Sequence, residues 1–228
     1  MPDKPHTLAH IEDWVFDLDN TLYPASVHLF PQIDTRMKAF ISDLLKIPPD
    51  EASTLQKDYY WKYGTTLRGL MLNHSIEPDT FLEYVHDIDH SVLVPDIRLE
   101  AALAKLPGRK FIYTNGSERH AVNVLGRLGI THHFTGIFDI TASRYIPKPE
   151  PAPYADLVAR HDITAARAAM FEDIQRNLKP AHGLGMTTVW VRHPESPAKD
   201  GEDLSHCHFI IDDLVAWLEV QAPKKPQN

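Results

Sequence analysis

The apolar run Trp14-Val15-Phe16 leads directly into Asp17 and Asp19, with only Leu18 between the two acids. In extended chain, residues i and i+2 point the same way, so the pair is expected to share a site while Leu18 packs elsewhere. Two adjacent carboxylates repel unless a cation or a proton relieves them. A third acid, Asp173, follows the apolar stretch at 168–171, and makes a hard divalent cation such as Mg2+ the natural relief. Thr114, Asn115, Gly116 and Ser117 follow another apolar stretch at 110–113. There Thr114 offers a hydroxyl, and the backbone beyond it can turn N–H groups towards an anion. Lys148, held between Pro147 and Pro149, supplies a fixed positive charge for a phosphate oxygen and for a nucleophilic carboxylate. Each group suits one part of a phosphoryl-transfer site.

These residues meet only if the chain folds so that strand ends converge. Apolar runs predict strands at 13–17, 110–113, 136–140, 168–171, 187–191 and 207–211, with helices near 97–105, 118–128, 151–160, 176–184 and 213–220. Such alternation predicts an α/β fold with a doubly wound, Rossmann-like parallel sheet, which binds ligands at the carboxyl ends of its strands. Between Pro24 and Pro95 no strand is expected. Amphipathic patterns at 34–46, 51–63 and 79–88, punctuated by Pro48-Pro49, Gly64 and Pro78, predict an inserted helical domain. The expected organisation is a discontinuous core of 10–23 and 95–221, a helical insert of 24–94 and a flexible tail of 222–228.

At 228 residues the chain can bury a sizeable core. Its net charge of −8, with no dense basic run apart from Lys224-Lys225, argues against polymeric nucleic acid as a partner. No apolar run is long enough to cross a bilayer, and the first residues lack a signal peptide's basic and apolar regions. Cys207 is the only cysteine, which fits a reducing compartment, and a cytoplasmic location is expected. Of the 14 histidines, His132-His133 and His206-Cys207-His208 invite a zinc reading. Neither has a matching second half, and neighbours in a strand face opposite ways, so both are expected to be structural.

The segments DLDNTLY at 17–23, YTNGS at 113–117, YIPKPEP at 145–151 and FEDIQRNL at 171–178 resemble the four ordered motifs of the haloacid dehalogenase superfamily. The insert sits where one subclass carries a C1-type cap. The resemblance implies that Asp17 is the nucleophile and that Asp19 is general acid and then base, holding a proton near neutral pH. It implies Mg2+ bound by Asp17, the Asp19 backbone carbonyl and Asp173, with phosphoryl oxygens held by Thr114, Asn115, Gly116 and Lys148. Asn177 stands where many relatives carry an acid, and a role for it or for Glu172 at the metal stays open.

Residues 58–70, DYYWKYGTTLRGL, are similar to a cap segment of the pyrimidine 5′-nucleotidase branch. That similarity implies a small phosphate monoester as substrate, a nucleoside monophosphate of the UMP or CMP type, with Tyr63, Thr66 and Arg68 meeting the nucleoside. At least two of Tyr59, Tyr60, Trp61 and Tyr63 are expected to serve packing. A phosphoglycolate or sugar phosphatase, a phosphosugar mutase and a non-enzymatic phospho-acceptor module are the competing readings. A haloacid dehalogenase needs neither Asp19 nor Asp173.

Overall fold

Strand β1, Asp13–Phe16, is buried at all four positions and lies at the centre of the fold. The computed structural model describes residues 8–193 and 202–221; the tail expected at 222–228 lies outside them. Five more strands, β2 (Arg109–Tyr113), β3 (Gly136–Phe138), β4 (Ala168–Glu172), β5 (Thr187–Val191) and β6 (Phe209–Ile211), complete a parallel sheet ordered β3-β2-β1-β4-β5-β6. Alternation along the strands divides the core between two faces. Trp14, Phe16, Ile112 and Phe171 enter one apolar cluster, where Phe16 stacks on Phe171 at 4.6 Å between ring centroids. Val15, Phe111, Tyr113 and Met170 enter the other.

The register matters for the site. Phe16 pairs with Ile112 on one side and Phe171 on the other, and the Asp17 N–H still donates to Phe171 O at 2.9 Å. Asp17 therefore emerges between Tyr113 and Glu172.

Helices α1 (Leu29–Leu45), α2 (Pro49–Tyr63), α3 (Thr66–His74) and α4 (Pro78–Val85) pack around their own apolar cluster, which includes Ile33, Ile41, Leu70 and Phe81. Local chemistry fixes their ends. Pro49 occupies the first turn of α2 with Asp50 and Glu51, as the helix dipole favours. Gly64, at φ +86°, ends α2, and the Thr65 hydroxyl then caps α3 by accepting from Arg68 N. The core helices α5 (Ile97–Lys105), α6 (Glu118–Leu128), α7 (Pro151–Arg160), α8 (Leu178–Gly183) and α9 (Leu214–Gln221) follow.

Several boundaries differ from the sequence reading. Helix α3 was not expected; its interior Gly69 weakens the helical signal, yet a Cβ there would run into the Tyr59 ring. Strand β3 stops at Phe138 because the Asp139 carboxylate turns back to accept from Ala142 N at 2.8 Å and Glu118 N at 2.9 Å. The helix expected at 176–184 begins as a 3-10 turn at Gln175–Asn177 before α8.

Candidate active site

Lys148 is the organising charge. Its ammonium, on a side chain 1% exposed, donates to Asp17 Oδ1 at 2.6 Å, Glu172 Oε1 at 2.8 Å and Tyr113 O at 3.0 Å. All three donor positions are thus used. The lysine loop is itself held, since Lys148 N donates to Asn115 Oδ1 at 2.9 Å. Burial disfavours the ammonium, but Asp17 and Glu172 outweigh it and raise the lysine above its ordinary value. Asp17 is pushed up to about 7, first by burial and then by Glu172 and Asp19, against the opposing pull of Lys148. Its Oδ2 accepts from the Thr21 hydroxyl at 3.1 Å.

Glu172 was only an open question in the sequence, and the structure makes it central. Besides Lys148 it accepts from Asn177 Nδ2 at 2.6 Å and from Ile174 N at 2.6 Å. Asn177, standing where many members of the resembled family carry an acid, is engaged in orienting this glutamate. Carboxylate oxygens of Asp17, Glu172 and Asp173 lie within 4.8 Å of one another. Burial, Glu172 and Asp17 push the Asp173 carboxyl well above its usual range. A hard divalent cation fits this donor set: oxygen ligands only, and more negative charge than Lys148 alone can balance.

The surroundings of Asp19 favour its carboxylate over the expected protonated form. Burial would raise its carboxyl, yet His120 and the Tyr23 hydroxyl hold it at about 2. Both contacts fall on Oδ1, from Tyr23 at 2.5 Å and His120 Nε2 at 2.8 Å. His120 is fully buried and stacks on His86 with ring centroids 4.4 Å apart, while His90 approaches its Nδ1 at 3.4 Å. His86 Nδ1 in turn meets the Ser117 hydroxyl at 2.9 Å, and burial pushes that imidazole down to about 3. Behind Asp19 there is thus a line of histidines linking α6 to the segment just after α4.

Thr114 is buried, with its hydroxyl accepting from Gly116 N at 2.9 Å. Gly116 therefore spends its N–H inside the loop, a departure from the expected anion nest. A Cβ on it would stand 3.3 Å from both the Thr114 hydroxyl and the His120 ring.

The helical segment contributes unevenly. Gly64 packs against the lysine loop so closely that a Cβ would sit 3.0 Å from Pro147 Cγ. Tyr63, beside it, points its hydroxyl at Asn73 Oδ1, 3.4 Å away. Arg68 is half-buried, and its guanidinium has no hydrogen-bond or ion-pair partner among the described residues. Thr66 is not brought to the site: it is buried at the start of α3, and its hydroxyl faces Gln56 O at 3.3 Å. Tyr59 packs on His74, whereas Tyr60 and Trp61 lie under the Arg176 guanidinium at 4.7 and 4.8 Å. Sequence reading missed Tyr23, His86 and His120. The i, i+4 spacing of Asp19 and Tyr23 was available as a signal; the histidine contacts had none.

Residues 14–185 match the haloacid dehalogenase-like hydrolases. The chain is 30% identical over 192 residues to phosphate metabolism protein 8 of Saccharomyces cerevisiae, a match covering 76% of this chain and 59% of that protein. The chain thus spans about three fifths of that curated relative. Among solved structures it resembles a HAD phosphatase from Thermococcus onnurineus, with TM-score 0.59, 17% identity, and 92% and 97% of the two chains covered. It also resembles the L-2-haloacid dehalogenase RSc1362, with TM-score 0.60, 17% identity, and 92% and 98% covered. Likeness at this level establishes the shared fold.

Proposed function

Because the chain belongs to the haloacid dehalogenase-like hydrolases, we propose that it is a divalent-metal-dependent phosphomonoesterase acting through an aspartyl-phosphate on Asp17, with pyrimidine nucleoside monophosphates as its substrate class. The observation that carries this reading is the buried Lys148–Asp17 pair beside Glu172 and Asp173, with Asp19 held separately by His120 and Tyr23. Dehalogenation requires neither Asp19 nor the extra acids. The curated relative's name points the same way, towards phosphate chemistry.

Asp17, Glu172 and Asp173 would hold Mg2+, with the Asp19 backbone carbonyl. The ion supplies charge shielding between an anionic nucleophile and an anionic phosphate. Asp17 attacks phosphorus, the ester P–O bond breaks, and the leaving oxygen takes a proton from Asp19. His120 and Tyr23 favour the Asp19 carboxylate, and the substrate's negative charge, which raises neighbouring carboxyls, lets it hold that proton. Its Oδ2 is the oxygen left for exchange, because the side-chain contacts fall on Oδ1. Asp19 then removes a proton from water, which attacks the phosphoenzyme, releases inorganic phosphate and restores Asp17. Thr114 holds one phosphoryl oxygen, and Lys148 gives up its N–H bond to Tyr113 O to meet another as the phosphoryl group arrives. The segment from α1 to α4 acts as the cap, and Arg68 offers its open guanidinium to the base.

The test is phosphate release with Mg2+ and with EDTA across UMP, CMP, dUMP, TMP, AMP, GMP, phosphoglycolate and sugar phosphates. Metal-dependent turnover confined to the pyrimidine set is expected; turnover of sugar phosphates alone discards the nucleotide reading and leaves the catalytic one. Arg68→Ala should raise KM for UMP roughly tenfold, the scale of a charged hydrogen bond, while leaving an aryl phosphate unaffected. An equal rise for both would deny Arg68 a base-recognition role.

Metal binding should also be visible in stability. Asp17, raised from 3.8 to about 7, keeps a proton in the metal-free fold that the unfolded chain releases. This costs the fold nothing below pH about 4 and progressively more up to pH about 7, where the unfolded state binds fewer protons. A cation removes that cost. Mg2+ should therefore raise the melting temperature by several degrees at pH 7.5 and by far less at pH 5; equal shifts at both would contradict the assignment.

A further inference from the structure

His132 and His133 occupy a 3-10 turn, Thr131–His133, between α6 and β3, rather than a strand. The turn sets the two rings side by side, with centroids 4.1 Å apart and planes inclined at 40°. Of the two reasons for dismissing them as ligands, opposite facing along a strand therefore does not apply, and Glu100 on α5 supplies a partner that sequence spacing does not show. Both Nε2 atoms approach the same oxygen, Glu100 Oε1 on α5, at 3.6 Å from His132 and 3.3 Å from His133. The three ligand atoms lie within 4.8 Å of one another.

These separations are longer than an ordinary N–H···O hydrogen bond, about 2.7–3.2 Å. His133 Nε2 is buried, on a side chain 10% exposed, and has no hydrogen-bond partner. The distances suit a different arrangement. Ligands about 2.0–2.1 Å from a tetrahedral zinc ion stand roughly 3.3–3.4 Å apart along each edge. We propose that Glu100, His132 and His133 form a zinc-class cation site with three protein ligands and a fourth position open to water.

The site is independent of the phosphate chemistry. The turn immediately precedes β3 and so lies at the amino ends of the strands, whereas Asp17 follows the carboxyl end of β1. An ion there ties α5, the first core helix after the helical segment, to the turn beside Phe134, whose ring meets Phe16 edge-on at 6.1 Å. Its role is a structural clamp on that side of the core.

Zn2+ titration of the metal-stripped full chain against a chromophoric chelator tests this, with the melting temperature read in parallel. His132 is 62% exposed on its side chain, so His132→Ala leaves the fold intact. Asp173→Asn serves as the control for zinc entering the acidic cluster. The expected result is zinc binding by the wild type and Asp173→Asn alike, weakened at least tenfold in His132→Ala and in Glu100→Gln, with the zinc-induced rise in melting temperature lost in both. Co2+ should give the intense visible bands of a tetrahedral ion in the wild type and not in His132→Ala. Absence of zinc binding, or binding unchanged in His132→Ala, overturns the proposal, as does binding lost only in Asp173→Asn.

Discussion

Asp17→Asn is expected to lower phosphomonoester turnover by a factor on the order of 10^4 or more, because it removes the atom on which the covalent intermediate forms. The fold should survive. Asp17 is already burdened by burial and by Glu172, so a neutral amide relieves a cost even as it weakens the contact with Lys148. The decisive measurement pairs phosphate release with acid-quench trapping of labelled phosphoenzyme from the wild type and the variant. A variant that retains turnover excludes Asp17 as the nucleophile. A variant that loses turnover with an unchanged melting temperature places the loss in chemistry.

Lys148→Met should do harm twice. Methionine keeps much of the volume but leaves Asp17 and Glu172 facing each other in a site where the lysine side chain is 1% exposed. Breaking one partner out of a buried ion pair typically costs about 3–5 kcal/mol, and here two carboxylates share the loss. Urea unfolding in EDTA at neutral pH should show a destabilisation of that order. Mg2+ should restore part of it by supplying the missing positive charge. Activity should stay about 10^2 to 10^3-fold down even with the metal, since the lysine also stabilises charge on the phosphoryl group. Wild-type stability in EDTA would mean that the acids are already protonated together, and the pairing would then carry no structural weight.

How much of this was legible beforehand depended on the kind of signal. Asp17, Thr114 and Asp173 each follow an apolar run that becomes a strand, and strand ends in a parallel sheet converge by topology. Lys148 was readable through its flanking prolines. Glu172 was visible but undecided, because pairing it with a lysine 24 residues away required the register of β4 against β1. The pull on Asp19 was not foreseen for a related reason: His120, which favours its carboxylate, lies 101 residues further along the chain. Nothing in spacing announces that contact or the stacking of His86 upon it. The inward turn of Thr66 was not legible because a hydroxyl in a polar-looking segment reads as exposed, whereas Gly64 and Thr65 start a helix that buries it. Helix α3 itself escaped notice because its Gly69 answers to the bulk of Tyr59, a tertiary demand no local pattern carries.

Arg176 lies against both Tyr60 and Trp61, joining the end of α2 to the turn that follows Asp173. Of the four tryptophans, Trp14 and Trp190 are each 2% exposed and Trp217 packs against the core, whereas Trp61 is 66% exposed. The molecule thus carries an optical reporter where the end of α2 meets the turn after β4. Any swing of α2 away from the sheet withdraws the guanidinium from the indole and leaves the interior chromophores undisturbed. Stopped-flow emission would therefore report any such swing without a label.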